Sequence, residues 1–280
     1  MKKLYYILSA LRIHNSIIGI LAGYIATLII NPSIHITNIY IILLEIFCVM
    51  SFGNLINDFQ DVESDKIAHP KRAVASNKIS FNEIKLFLII LIILIITISI
   101  NFTIIVNLFL YGIILPLLIF YNKVFKPVPI LGNIVISFLL CSVFIFIELF
   151  ILQSFRVLYF PTILIFSFSF IREFLKDIQD YQGDSVAEIH TFPVVFGVKN
   201  SINVAIVLIC LFCVTLLLPY CFYDFNLFYL YSIIILIEFP LIIIVFLLLN
   251  NPSNQSFKSI ALLTKVMSVV GLLIIFILYR

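Results

Sequence analysis

The sequence predicts an all-α, polytopic membrane protein with nine spans, and three observations predict it. Of its 280 residues, 63% are hydrophobic and only 11% charged, with a mean hydropathy of +1.23. Soluble domains carry about 45–50% apolar and about 25% charged residues. The apolar residues form continuous runs near the ~20 that a helix needs to cross a bilayer, not the alternating segments of ~10 found in membrane barrels. The basic residues, finally, divide unequally between the connections. These features exclude a water-soluble enzyme, a disordered tail and a disulfide scaffold.

The first span, at about 14–31, is the least apolar and follows Met1–Asn15, which lacks the core and cleavage site of a secretory signal. The second, 38–58, ends in Asn57-Asp58. Segments 82–100 and 102–121 are separated only around Asn101, so they form an antiparallel hairpin. A loop bearing Lys123 and Lys126 leads to 129–151. The sixth segment, 157–176, ends on Arg172 and Lys176; 200–219, 226–249 and 258–279 complete the set. The longer polar connections are 59–81 and 177–199, and a single domain covers 1–280. With the N-terminus in the cytoplasm, every lysine and arginine of the 17 except Arg156 and Arg280 falls on the cytoplasmic side. This is a multi-pass cell-membrane protein with its N-terminus inside.

Six of the seven aspartates fall into two clusters: Asp58, Asp61 and Asp65 after the second span, and Asp177, Asp180 and Asp184 after the sixth. Both have spacing i, i+3, i+7, which puts three carboxylates on one helical face. Asn54, four residues before Asp58, extends the first stripe toward the membrane, and Asn57, next to Asp58, is a substrate-binding candidate. Four crossings separate the clusters, so both lie on the same membrane side. Like charges gathered at a membrane boundary are costly unless cations bridge them. Hard oxygen donors without cysteine or histidine favour Mg2+. Magnesium prefers one or two carboxylates plus phosphate oxygens to an all-protein cage. The clusters therefore predict Mg2+ and a di- or polyphosphate substrate, with catalysis at the cytoplasmic face. A lone acidic helix end is usually a solvated cap; two of identical spacing are not.

Lys71 and Arg72 follow the first cluster, Arg172 and Lys176 precede the second, and Lys123 and Lys126 lie in the loop after the fourth span. Each is explained by topology, and as a group they can bind phosphate. Glu45, Glu148 and Glu238 are ionisable groups within spans and candidates for function. Pro116 and Pro240 predict kinks. The five cysteines read as buried structural thiols despite the Cys210–Cys213 spacing, and His69 and His190 as solvated loop residues.

Asn57–Asp65 (NDxxDxxxD) with Asp177–Asp184 (DxxDxxxD) four helices later resembles the UbiA superfamily of intramembrane prenyltransferases. Tyr121-Asn122-Lys123-Val124-Phe125-Lys126 followed by Gly132-Asn133 resembles that family's mid-chain signature. Arg172–Asp184 (REFLKDIQDYQGD) is similar to the archaeal digeranylgeranylglyceryl phosphate synthases within it. His69-Pro70-Lys71-Arg72-Ala73 departs from the Asn-Arg-Pro-type run of relatives.

The resemblance implies nine helices around a central cavity, with a cytoplasmic cap from the two polar loops. It implies transfer of a geranylgeranyl group from its diphosphate to the free hydroxyl of geranylgeranylglyceryl phosphate, releasing pyrophosphate. Asn54, Asp58, Asp61, Asp177 and Asp180 would hold Mg2+ on the diphosphate, with Asp65 and Asp184 supporting. Arg72 and Lys126 would bind the diphosphate, Arg172 and Lys176 the acceptor's phosphate, and Tyr121 would face the allylic cation. The partners implied are a prenyl diphosphate, a lipid phosphate and the bilayer, with no nucleic acid and no protein. The alternatives are an aromatic, quinone-pathway acceptor, a cation-coupled transporter and a polyprenyl diphosphate hydrolase.

Overall fold

Helices α1 (Lys2–Ala10), α2 (Ile13–Ile30), α3 (Ile36–Gln60), α4 (Phe81–Ser99), α5 (Ile104–Phe125) and α6 (Leu131–Leu152) make up the first half of the chain. They are followed by α7 (Tyr159–Val186), the short α8 (Phe192–Phe196), α9 (Val198–Phe222), α10 (Leu227–Asn250) and α11 (Asn254–Leu278). The structure, a computed structural model, describes residues 2–62, 65, 66, 70, 72–222, 226–250 and 252–279. Lys71, His69, Glu63, Ser64 and Arg280 lie outside the described residues. Among those described, no strand forms, as the apolar runs require.

Among the described residues, eight helices are long and apolar enough to cross a membrane, against the nine expected. The difference lies in α7. At 28 residues it is long enough, but it carries Arg172, Glu173 and Lys176 inside the predicted sixth span. The expected loop after that span is also different, because residues 177–186 continue the same helix. The whole second aspartate motif thus stands on helical backbone, and the expected cap loses half of one loop. The short α1 was not expected. It is tied to the start of α4 by an ion pair between Lys3 and Glu83, and Glu83 closes a capping box with Ser80.

Prolines shape α5 and α10. Pro116, Pro127 and Pro240 each follow a turn in which the preceding residue donates its N–H five residues back: Leu115 to Leu110, Lys126 to Tyr121 and Phe239 to Ile234. A proline ring clashes with the carbonyl four residues earlier, and widening the turn by one residue relieves the clash. The expected kinks at Pro116 and Pro240 therefore take the form of π turns.

Glu148 has a structural place. It is fully buried and accepts the N–H groups of Arg156 (2.5 Å), Val157 (2.6 Å) and Leu158 (2.7 Å) at the start of α7. A carboxylate there satisfies orphan donors and meets the positive end of the helix dipole. Glu148→Ala is expected to cost about 3 kcal/mol or more, since each hydrogen bond to a charged group is worth about 1.5–3 kcal/mol. A thermal melt of the detergent-solubilised variant reads this out. Of the cysteines, Cys48 and Cys141 are buried as expected, whereas Cys210 and Cys221 are exposed and Cys213 is half-buried. His190 is exposed.

The apolar side chains gather into two clusters, one spanning mainly α2–α6 and the other α7 and α9–α11. Helix α7 packs on α6, α9 and α11, while α2 packs on α3, α6 and α11. Contact of α11 with α2 joins the last helix to the first long one. A cavity of about 670 Å3 lies between the two clusters.

Candidate functional site

One end of the bundle collects the C-terminal parts of α3, α5 and α7 and the N-terminal parts of α2 and α6. There a small polar pocket of about 90 Å3 is lined by Asp61 and Asp65 from the first motif and by Asp177, Asp180 and Asp184 from the second. Arg12, Asn57, Arg72, Tyr121, Glu173, Lys176 and Asp180 line both this pocket and the large cavity, so the two spaces adjoin. Apolar side chains predominate in the cavity; those facing it include Ile18, Leu118, Val143, Phe168 and Leu272.

The two motifs differ in their backbone. The second lies wholly within α7, as its spacing requires. The first crosses a break: α3 ends at Gln60 and Asp61 is the capping residue with φ −94° and ψ 12°, although the Asp61 N–H still donates to the Asn57 carbonyl at 2.9 Å and the Asp65 N–H to the Asp61 carbonyl at 2.8 Å. Its three carboxylates consequently meet three different cations. Asp58 accepts from Arg12 (2.5 Å), Asp61 from Lys126 (2.6 Å), and Asp65 from Arg72 (2.5 and 2.6 Å). Arg72 also lies 4.0 Å from Asp58. Asp58 is 2% exposed and lines neither space, standing behind Arg12.

Lys126 joins the two motifs. It is bonded to Asp61 of the first and also acts electrostatically on Asp184 of the second. Its position depends on Gly132, where a Cβ would stand 3.0 Å from the Lys126 Cα and 3.2 Å from the Phe125 carbonyl oxygen. Only glycine lets α6 begin that close to the loop. The next residue, Asn133, donates from Nδ2 to Asp177 at 2.8 Å. The mid-chain signature thus has a physical purpose: it packs a lysine against one motif and an amide against the other. Asn122 reinforces it by donating to the Asn57 Oδ1 at 3.1 Å, and Thr191 donates to Asp184 at 3.2 Å.

Electrostatics reflect the crowding. Burial, with smaller contributions from Asp184 and Glu173, pushes Asp177 up to about 7 against the pull of Asn133 and Lys176. Burial and Asp180 raise Asp184 to about 6, opposed by Lys126, Thr191 and Lys176. Tyr121 lies in the field of Asp61 from one motif and of Asp177 and Asp184 from the other.

Two expected residues serve differently. Asn54 lines the large cavity and donates to the Leu11 carbonyl at 3.2 Å, bracing the α1–α2 junction. Arg172 pairs with Glu173 at 3.3 Å and lines only the large cavity. Arg12 and Glu173 are the residues that sequence reasoning missed. Arg12 had counted only as a topogenic charge. It sits between α1 and α2 with φ 47° and ψ 50°, a left-handed conformation costing about 1–2 kcal/mol for a residue with a Cβ. Glu173, 8% exposed, pairs with both Arg172 and Lys176. A signal for it existed in the run Arg172-Glu173, where a carboxylate inside an apolar helix needs a partner. Glu45, 1% exposed, lines the cavity with both carboxyl oxygens unpaired, and Glu238 sits in the π turn of α10.

Among the described residues, no three carboxylate, imidazole or thiolate groups stand close enough to cage a metal unaided. The oxygen-only donors of the polar pocket instead suit a cation that completes its shell with phosphate oxygens.

A model of the UbiA prenyltransferase family matches residues 16–276. The chain belongs to that family. Its UbiA relatives include digeranylgeranylglyceryl phosphate synthase of Methanocaldococcus jannaschii, 31% identical over 285 residues, covering 98% of this chain and 95% of the relative. The enzyme of the same name from Methanococcus aeolicus is 34% identical over 90% of each. A solved structure of digeranylgeranylglyceryl phosphate synthase superposes with a TM-score of 0.73 at 31% identity, covering 100% of this chain and 99% of the other. A UbiA homologue from Archaeoglobus fulgidus bound to GPP and Mg2+ has a TM-score of 0.69 at 18% identity, over 96% and 99% of the chains, and shares the fold. The UbiA assignment agrees with the all-helical membrane architecture and with the paired aspartate motifs.

Proposed function

We propose that this chain is an Mg2+-dependent geranylgeranyltransferase. It moves the prenyl group from geranylgeranyl diphosphate to the free hydroxyl of geranylgeranylglyceryl phosphate and releases pyrophosphate, forming the second ether bond of an archaeal lipid. One observation carries the reading: both aspartate motifs and Lys126 converge on a polar pocket that adjoins a long apolar cavity. The names of the relatives at 31–34% identity support the acceptor.

In this reading residues 1–280 act as one domain, α7 is the ninth span, and the polar pocket faces the cytoplasm. Asp61, Asp65, Asp177, Asp180 and Asp184, with Asn57 beside them, would supply the metal's oxygen donors, and Asp58 would join them only from its place behind Arg12. A bound Mg2+ would neutralise negative charge on the leaving diphosphate. Lys126, Arg72 and Arg12 hold the diphosphate oxygens, and the hydrocarbon tail lies in the cavity, which keeps water from the reacting carbon. The allylic C–O bond breaks with its electron pair leaving on pyrophosphate. The acceptor hydroxyl oxygen forms the new C–O bond and loses its proton. Tyr121, lining both spaces, presents its ring to the developing carbocation.

The purified protein with geranylgeranyl diphosphate, Mg2+ and a panel of glyceryl phosphate, hydroxybenzoate and naphthoate acceptors tests this. Pyrophosphate release that depends on the glyceryl phosphate lipid is expected. Prenylation of an aromatic acceptor alone would assign a quinone-pathway activity, and release without any acceptor a hydrolase. Metal affinity is expected to depend on pH, because Mg2+ competes with the protons on Asp177 and Asp184. Those carboxyls titrate at about 7 and about 6, so affinity falls as pH drops from 8 to 6, by about tenfold per unit once below Asp177. Titrating Mg2+ against the thermal melt at each pH measures it, and a flat profile contradicts the assignment.

A further inference from the structure

A second group of basic side chains faces the large cavity and not the aspartate pocket. His14 at the start of α2, Arg172 on α7 and Lys265 on α11 line the cavity alone, whereas Arg12 and Lys176 line both spaces. The charged groups that act on Lys265 are Arg172, Arg12 and Lys176; those that act on His14 are Lys265 and Arg12. All are cationic. Among the described residues neither Lys265 nor His14 forms an ion pair, and Glu173 is shared between Arg172 and Lys176. The Asn15 Oδ1, an acceptor buried without a hydrogen-bond partner, lines the same cavity and suits a hydroxyl donor.

Arg12, Arg172, Lys176 and Lys265 converge on an apolar cavity, repel one another and lose hydration, a cost that a bound anion offsets, and the neutral His14 imidazole can donate a hydrogen bond to it. The anion must also suit its surroundings, with a charged end at the mouth and a hydrocarbon tail running inward. A diphosphate complexed with metal belongs on the aspartate side, where the carboxylates are. A phosphomonoester, carrying about −1.5 to −2 charge near neutral pH, suits a site where cations outnumber carboxylates, since Glu173 is shared by Arg172 and Lys176 and Lys265 has no ion pair among the described residues. Resting on the functional reading above, we propose that His14, Arg172 and Lys265 form a separate, metal-independent subsite for the phosphomonoester of the lipid acceptor. This subsite selects a phosphorylated acceptor over a neutral one and places its hydroxyl beside the prenyl diphosphate.

The full-length protein in nanodiscs tests this in two measurements. With chelator present and donor absent, geranylgeranylglyceryl phosphate is expected to raise the melting temperature, while its dephosphorylated analogue is not. Lys265→Gln is expected to weaken acceptor binding about tenfold or more, as loss of a charge-assisted contact does. Lys265→Arg should restore most of it. In turnover, Lys265→Gln and Arg172→Gln should raise KM for the acceptor with KM for the donor unchanged. Equal acceptor affinity in wild type and Lys265→Gln, or equal binding of the neutral analogue, would overturn the subsite while leaving the transferase reading intact. A wild-type protein that neither binds nor prenylates this acceptor would remove both. Loss of fold in Arg172→Gln would shift the decision to the Lys265 pair.

Discussion

Asp177→Asn is expected to lower turnover by about 10³-fold while leaving the protein as stable as the wild type or more so. The carboxyl is held by Asn133 at 2.8 Å and titrates at about 7 because it is buried. An amide of the same shape removes the cost of a buried charge in the metal-free protein. It also removes a hard anionic donor from the position that Asn133 holds at the polar pocket. Loss of one preorganised electrostatic contact to a leaving group typically costs 10²–10³-fold, and loss of a metal ligand more. The measurement is kcat at saturating Mg2+, paired with a thermal melt without metal. Near-normal kcat would refute the metal assignment, and a collapsed melt would show that the residue is structural.

Arg12→Gln is the second large effect, and it should act on both stability and donor binding. Arg12 is the 2.5 Å partner of Asp58, whose carboxyl is 2% exposed and otherwise has Arg72 at 4.0 Å. Removing one member of a buried pair costs about 3–5 kcal/mol, because the other charge is stranded. Arg12 is partly exposed, so the lower part of that range applies. A divalent cation near Asp58 would replace the lost charge, so Mg2+ should raise the melting temperature of Arg12→Gln more than that of wild type. KM for the prenyl diphosphate should rise about 10- to 100-fold, since the guanidinium also lines the polar pocket proposed to hold the leaving group. Arg12→Gly separates charge from backbone: it loses the same contact but relieves the left-handed strain, and should melt above Arg12→Gln.

The membrane class, the helix positions and the meeting of two aspartate motifs were legible because each follows from local pattern. An apolar run of fixed length specifies a span, and even crossing numbers specify a common face. Helix α7 was cut short in the sequence reading because hydropathy treats Arg172, Glu173 and Lys176 as an end, although i, i+3 pairing lets the helix continue to Val186. Asp61 was assigned to a helical face because spacing alone does not reveal where a helix ends. Arg12 was missed for a different reason. Its partner lies 46 residues away in sequence, and no periodicity encodes a contact made by chain folding between α1 and α3. Asn133 was noted only by resemblance, and its function depends on the backbone approach that Gly132 permits.

The widened turns of α5 have a consequence for aim. One surplus residue in a helix turns everything beyond it by about 100°, and α5 takes such a turn before Pro116 and another at Tyr121–Phe125. Counting heptads from Leu110 therefore points Tyr121 and Lys126 toward the wrong neighbours. Deleting a single residue within Leu110–Ile114 would leave the span's length and hydropathy almost untouched, yet swing the ring and the ammonium away from the polar pocket. In this helix the register, more than the composition, determines what the end of the span can touch.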